Sequence, residues 1–266
     1  MGQIIELPDS VKLKKEIRRL KSLLEDLVLE RDELRFVTCE NIKMKYMLEI
    51  GGLEHRVYQA HCEYLRLQRK KEIIQAKKNR QETINMDVIE KLLDKEFLTY
   101  QKKLDEKIHE MNQALERSKL ESLTEEEEQE FKKLYRIIVK TLHPDLNPNL
   151  SEAKKELFIN ATDAYRRGDL ADLQIIFQLV GADMNLENTP SSLILLHKEK
   201  QRLQSLLDQV KEEIKKITTS PPYIWKIYFE DEERKAERID ELEKELRAFQ
   251  EAIRTQKEWI HELMRK

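Results

Sequence analysis

The sequence predicts an all-α, elongated fold in which a central helical core lies between two antiparallel coiled-coil hairpin arms. Three observations lead there. Glu, Lys, Leu, Arg and Gln dominate a chain of 266 residues that is 38% charged and has only five glycines and six prolines to make turns. Near both ends, apolar residues recur at spacings of three, four and seven. The centre breaks that rhythm into shorter amphipathic segments with capping residues between them. At 6% aromatic content, long thin helical layers are expected rather than one large core. The expected segments are an N-terminal arm over 1–118, a core over 119–184 and a C-terminal hairpin over 185–266.

The N-terminal arm opens at Pro8-Asp9-Ser10, with Ser10 as the expected N-cap. Leu13, Ile17, Leu20, Leu24, Leu27 and Leu34 then form an apolar stripe that Arg31 interrupts. Gly51-Gly52 reads as a helix stop. A second stripe, Leu53, Val57, Ala60, Tyr64, Leu67 and Ile74, begins at once, with Lys71 intruding. Two stripes around a glycine pair predict an antiparallel hairpin. A third helix is expected from Asn85-Met-Asp87, carrying Leu93, Phe97, Tyr100, Leu104, Met111 and Leu115.

The C-terminal arm starts at Asn188-Thr189-Pro190, with Thr189 as N-cap and proline at the first helical position. Leu193, Leu196, Leu203, Leu207, Val210, Ile214 and Ile217 follow, with Lys200 in the seam. Ser220-Pro221-Pro222 breaks the helix. The last stripe, from Ile239 through Leu242, Leu246, Phe249, Ile253 and Ile260 to Leu263, is expected to fold back on the one before it.

In the core, Thr124-Glu-Glu-Glu127 is a capping box at the start of an amphipathic helix. Acidic residues 125–128 suit the positive end of its dipole. Farther along, Lys132, Arg136 and Lys140 recur every four residues on one face, beside Lys133. Leu134, Tyr135, Ile138, Val139 and Leu142 fill the other face. Pro144 stops the helix and fixes the loop His143-Pro144-Asp145, which leaves the Asp145 carboxylate available to an outside donor. Ser151 is the expected cap of a second helix with Leu157, Phe158, Ala161, Ala164 and Tyr165 inward. Asp169 is the expected cap of a third, ending at Gly181.

A basic helix, a His-Pro-Asp loop and a helix ending in Ala164-Tyr165 resemble the J-domain of DnaJ-type co-chaperones. The resemblance covers about Thr124 to Tyr165. It implies that His143, Pro144 and Asp145 dock on the ATPase of a DnaK-type chaperone and stimulate ATP hydrolysis, with Lys132, Lys133, Arg136 and Lys140 steering the approach. Three positions often basic in that family hold Ile137, Thr141 and Leu146, so the charge facing the partner is thinner than usual. The family's short aromatic-rich opening helix is not seen before Thr124, and the Cys-x-x-Cys repeats of full DnaJ proteins are missing. The implied protein is a specialised co-chaperone whose arms bind a client, a scaffold or a second copy. The alternative is a structural or interaction coiled-coil protein whose J-like core does not engage the chaperone.

Other chemistries have less support. No Ser, Cys or carboxylate constellation accompanies His143, so an enzyme is not expected. Five scattered glycines build no phosphate loop, and no cofactor is expected. His61 and Cys62 project about 100° apart on a helix, which argues against a shared metal with His55. Cys39 and Cys62 would approach one another across the Gly51-Gly52 hairpin; both a disulfide and two free thiols are compatible, and a reducing cytosol favours thiols. The basic stretch Arg66, Arg69, Lys70, Lys71, Lys77, Lys78 and Arg80 is interspersed with Glu and Gln, which favours a solvated helix face over a nucleic-acid surface. Net charge is −3 with signs alternating, which gives no general case for nucleic-acid or membrane binding. No apolar run reaches membrane-spanning length, and the first residues lack a signal-peptide pattern, so a cytoplasmic protein is expected.

Overall fold

The computed structural model describes residues 8–119, 123–181 and 193–265, and every regular element among them is helical. They divide into two compact units, one from residues up to 41 with 121–224, the other from 42–120 with 225–266. Each unit therefore joins stretches from both halves of the chain. The three consecutive segments 1–118, 119–184 and 185–266 are not the compact bodies.

The first unit is built on α1 (Pro8–Asp32), its π-helical continuation Glu33–Thr38, and α9 (Leu193–Thr218). Glu16 pairs with Lys200 and Arg31 with Glu213, so residue numbers rise together and the two helices run parallel. Leu13, Ile17, Leu24 and Val28 of α1 share one buried cluster with Leu196, Leu203, Leu207 and Val210 of α9. Against this pair lie α6 (Glu125–Leu142), α7 (Glu152–Arg167) and α8 (Leu170–Gly181). Tyr135, Ile138, Val139, Leu142, Ala161, Ala164, Tyr165 and Leu173 complete the same core.

The second unit centres on α3 (Gly52–Asn79) and α11 (Glu232–Arg265). They too run parallel: Glu54 meets Arg238, His61 meets Phe249, and Lys71 lies over the Trp259 ring. α4 (Met86–Glu96) and α5 (Leu98–Ser118) pack on α3. Tyr46, at the end of α2 (Cys39–Tyr46), stacks on Trp225 at 4.3 Å between ring centroids, near Tyr228 of α10 (Ile227–Glu230).

Several sequence expectations are corrected. Gly51-Gly52 does not stop a helix. Both residues are right-handed helical, Gly51 closing a π-helical stretch Met47–Gly51 and Gly52 opening α3. Gly51 is buried, and a Cβ there would meet the Met47 sulfur at 2.9 Å, while one on Gly52 would touch Met111. At Gly51 small size serves packing rather than termination. With the hairpin goes the juxtaposition of Cys39 and Cys62, which are free, buried thiols.

The antiparallel hairpin arms are also replaced. The principal partner of α9 is α1 and that of α11 is α3, and both pairings are parallel. An apolar stripe specifies a buried face; flanking charges select partner and direction. The opposed ion pairs Glu16–Lys200, Glu49–Lys235, Glu54–Arg238 and Glu63–Lys257 supply that selection. The third N-terminal helix starts as expected, with the Asn85 side chain accepting from the Val88 amide at 3.2 Å, but breaks at Phe97 into α4 and α5. Ser10 lies inside α1 rather than capping it. The expected start at Asn188-Thr189-Pro190 falls outside the described residues.

Candidate functional site

Local signals position the His143 loop. Thr124 and Glu127 form the reciprocal capping box of α6, with the Glu127 carboxylate accepting from the Thr124 amide at 2.8 Å. That contact holds the Glu127 carboxyl below its ordinary range. Ser151 caps α7 and Asp169 caps α8. Gly168 takes φ +74° at the α7 C-terminus, where an L side chain would be strained. α6 and α7 run antiparallel, because Phe131 and Tyr135 at one end stack on Tyr165 while His143 at the other meets Phe158 edge-on. The loop therefore stands at the end of a two-helix unit, as expected.

The surroundings of the loop were not expected. His143 is only 5% exposed. Its Nε2 lies 3.3 Å from Nη2 of Arg31 on α1, and its Nδ1 faces the Asp145 amide at 3.1 Å. Both neighbours are donors, whereas a neutral imidazole has one acceptor nitrogen. One of the two contacts is consequently unbonded in either tautomer, and an imidazolium would satisfy neither. Burial, and then the nearby Arg31 guanidinium, push the His143 pKa below its usual value against the opposing pull of Asp145, Asp32 and Glu213.

Arg31 belongs to a network. It donates to Asp32 at 2.9 and 2.7 Å and to Glu213 of α9 at 3.3 Å. Burial disfavours its charge, but the Asp32 and Glu213 carboxylates together more than offset that and raise its pKa. Asp32, 1% exposed, also accepts from the Tyr135 hydroxyl at 2.9 Å. Glu33 accepts from the Tyr165 hydroxyl at 2.7 Å. Burial and these carboxylates push both tyrosine hydroxyls well above their ordinary range.

The basic face of α6 is matched to α1 in the same way. Lys132 pairs with Glu33 at 3.1 Å, Arg136 with Asp26, and Lys140 with Glu25 at 3.8 Å. Lys133 is exposed and carries no ion pair with a described residue. From α9, Arg202 donates to the Asp145 carbonyl at 2.9 Å while paired with Glu199. Pro144 is exposed and the Asp145 side chain is 40% exposed. Lys132, Arg136 and Lys140 thus line α6 toward the loop of His143, Pro144 and Asp145, and Glu33, Asp26, Glu25, Arg31 and Arg202 stand against these groups. Sequence reasoning missed this second set. Its one visible signal was Arg31 in the apolar stripe of α1.

Elsewhere, the basic stretch on α3 is largely neutralised: Arg66 pairs with Glu90 and Asp94, Lys70 with Glu90, and Arg69 with Glu96. Among the described residues no group of three or more His, Cys, Asp or Glu could hold a metal ion, and no helix is long and apolar enough to cross a membrane. No protein-family model, no curated protein and no solved structure matches this chain.

Proposed function

We propose that the α6–loop–α7 segment is the J-domain-like docking element of a specialised co-chaperone, which engages a DnaK-type ATPase and stimulates its ATP hydrolysis. The reading rests on the resemblance quoted above and on one structural observation. A proline-fixed loop, with Pro144 and the Asp145 carboxylate outward, ends an antiparallel helix pair whose Lys132, Arg136 and Lys140 form a basic stripe leading to it. A carboxylate on a rigid loop can form a bidentate pair with a partner arginine. The fixed loop lowers the ordering cost of binding, and a basic stripe steers an acidic surface. The long helices would carry the client, scaffold or second copy, in a cytoplasmic protein that needs no cofactor and no metal.

A second reading has its own observation. His143 is buried against Arg31 rather than offered to a partner, as it would be if the loop served only as a joint in a structural helical protein.

The deciding experiment is single-turnover ATP hydrolysis by a DnaK-type chaperone, titrated with the full chain and with Asp145→Asn. Asp145 is the better probe than His143, because replacing a buried histidine that holds the loop amide would disturb the fold. The docking reading expects stimulation that saturates with wild type and is largely lost in the variant. Equal results for the two chains up to saturating concentration, with the chaperone responding to a known J-protein, would leave the structural reading.

A further inference from the structure

Three of the four cationic groups that would face a chaperone already face a carboxylate of α1 or of its π-helical continuation; Lys133 does not. Lys132, Arg136 and Lys140 meet Glu33, Asp26 and Glu25. The loop is held by Arg202 on the Asp145 carbonyl and is covered by Arg31, whose Nη2 lies against the His143 ring. We propose that α1, with Arg202 of α9, is a built-in competitor that closes the docking face, and that an acidic surface of the chaperone must displace it. This rests on the docking reading and deepens it.

The energetics suit a closure that can open. The α6 cations in these pairs are 47–70% exposed at the side chain, and exposed ion pairs contribute little each. α1 is anchored on α9 by Leu13, Ile17, Leu24 and Val28, none of which needs to move relative to α9 for the face to open. The buried guanidinium is not stranded either: Arg31 keeps Asp32, its own neighbour in sequence, and Glu213 of α9 when it leaves His143. His143, with two donors for one acceptor, loses little by exchanging Arg31 for water. Full separation would expose Tyr135 and Tyr165 together with the apolar core they share with α1 and α9, so the opening is confined to the ion pairs and the loop. A closed state favoured by such contacts lowers apparent affinity in proportion to the rarity of the open one.

The test uses the full chain carrying Glu25→Lys with Asp26→Lys, which sets like charges against Lys140 and Arg136. Neither position is in the α1–α9 core. Two readouts are taken: hydrogen exchange of the loop amides, including that of Asp145, and single-turnover stimulation of a DnaK-type chaperone. The closure is supported by faster loop exchange together with half-maximal stimulation at a chain concentration lower by on the order of tenfold, within the usual range of coupling between sites. Faster exchange with unchanged, Asp145-dependent stimulation overturns the closure and leaves docking standing. Faster exchange with no stimulation by either chain overturns docking, and the closure falls with it. Unchanged exchange shows that these ion pairs do not hold the face shut. Should the double variant misfold, as circular dichroism would show, Arg202→Gln replaces it, with the same readouts and the same expected direction.

Discussion

Both units lay two long helices side by side in parallel, α1 with α9 and α3 with α11, and pack shorter helices on them. They differ in what they bury. In the second unit aliphatic residues such as Ile50, Val57, Leu242, Leu246 and Ile253 form the core beside aromatic contacts, Tyr46 on Trp225, His61 and Tyr64 near Phe249, and Lys71 over Trp259. Its Glu54–Arg238 pair is partly open to water. In the first unit the polar groups go inside, with Asp32 and His143 buried and Arg31 between them. Buried ion pairs are weak contributors to net stability, because desolvation consumes most of the attraction. A fold that needed only rigidity could have placed leucine at 31, as the stripe around it does. The second unit also buries a polar side chain, Gln256, but among the described residues no ion pair there is as deeply buried as Arg31–Asp32.

The largest expected effect is at the buried carboxylate. Asp32→Ala strips Arg31 and the Tyr135 hydroxyl of a partner and should cost about 3–5 kcal/mol in urea denaturation. Glu54→Ala, the matching removal in the second unit, should cost less, about 1–2 kcal/mol. Equal losses would erase the contrast. The apolar cores should behave alike by comparison: Leu203→Ala and Ile74→Ala, both fully buried, should each cost about 2–5 kcal/mol. A much smaller loss for one would mean that its unit is loosely packed and that the comparison is of unlike bodies.

Acid should separate the units next. Burial and Arg31 keep the His143 pKa below 6.5 in the folded chain. Above pH 6.5 the imidazole is neutral both folded and unfolded and costs nothing. Below it the unfolded chain takes up the proton first, so stability falls as pH drops toward the folded value. The groups facing the ring are Arg31 and Asp32 of α1, Glu213 of α9 and Asp145 of its own loop. The urea midpoint of wild type should therefore fall more between pH 7 and pH 5 than that of His143→Leu; identical slopes would show that His143 is not the responsible group. The smallest effect is in the second unit, where Gln256 is 6% exposed and its Oε1 has no hydrogen-bond partner. Gln256→Leu should stabilise by about 1 kcal/mol, read as a shift in the urea midpoint.

What the sequence made legible was local. Thr124 with Glu127, Ser151 and Asp169 cap the helices they were expected to cap, and Asn85 caps the helix expected to start there, because a cap is decided within four residues. The tripeptide's position between antiparallel helices followed from Pro144 and two apolar faces. Partner choice was not legible. The four long stripes are alike in composition, and direction depends on charges far apart in sequence, such as Glu16 with Lys200. Gly51-Gly52 misled because glycine serves both as a stop and as a close-packing residue, and only the neighbours distinguish the two. Arg31 was visible as an interruption of its stripe; its reach to His143, 112 residues away, was not.

The most direct measurement is single-turnover ATP hydrolysis by a DnaK-type chaperone with three full chains: wild type, Glu25→Lys/Asp26→Lys, and that variant with Asp145→Asn added. The account predicts stimulation by wild type, stimulation at lower concentration by the opened variant, and its loss when Asp145 is neutralised. Stimulation by none of the three, with all three folded and the chaperone responsive to a known J-protein, would contradict it and leave the His143 loop as a joint between helices.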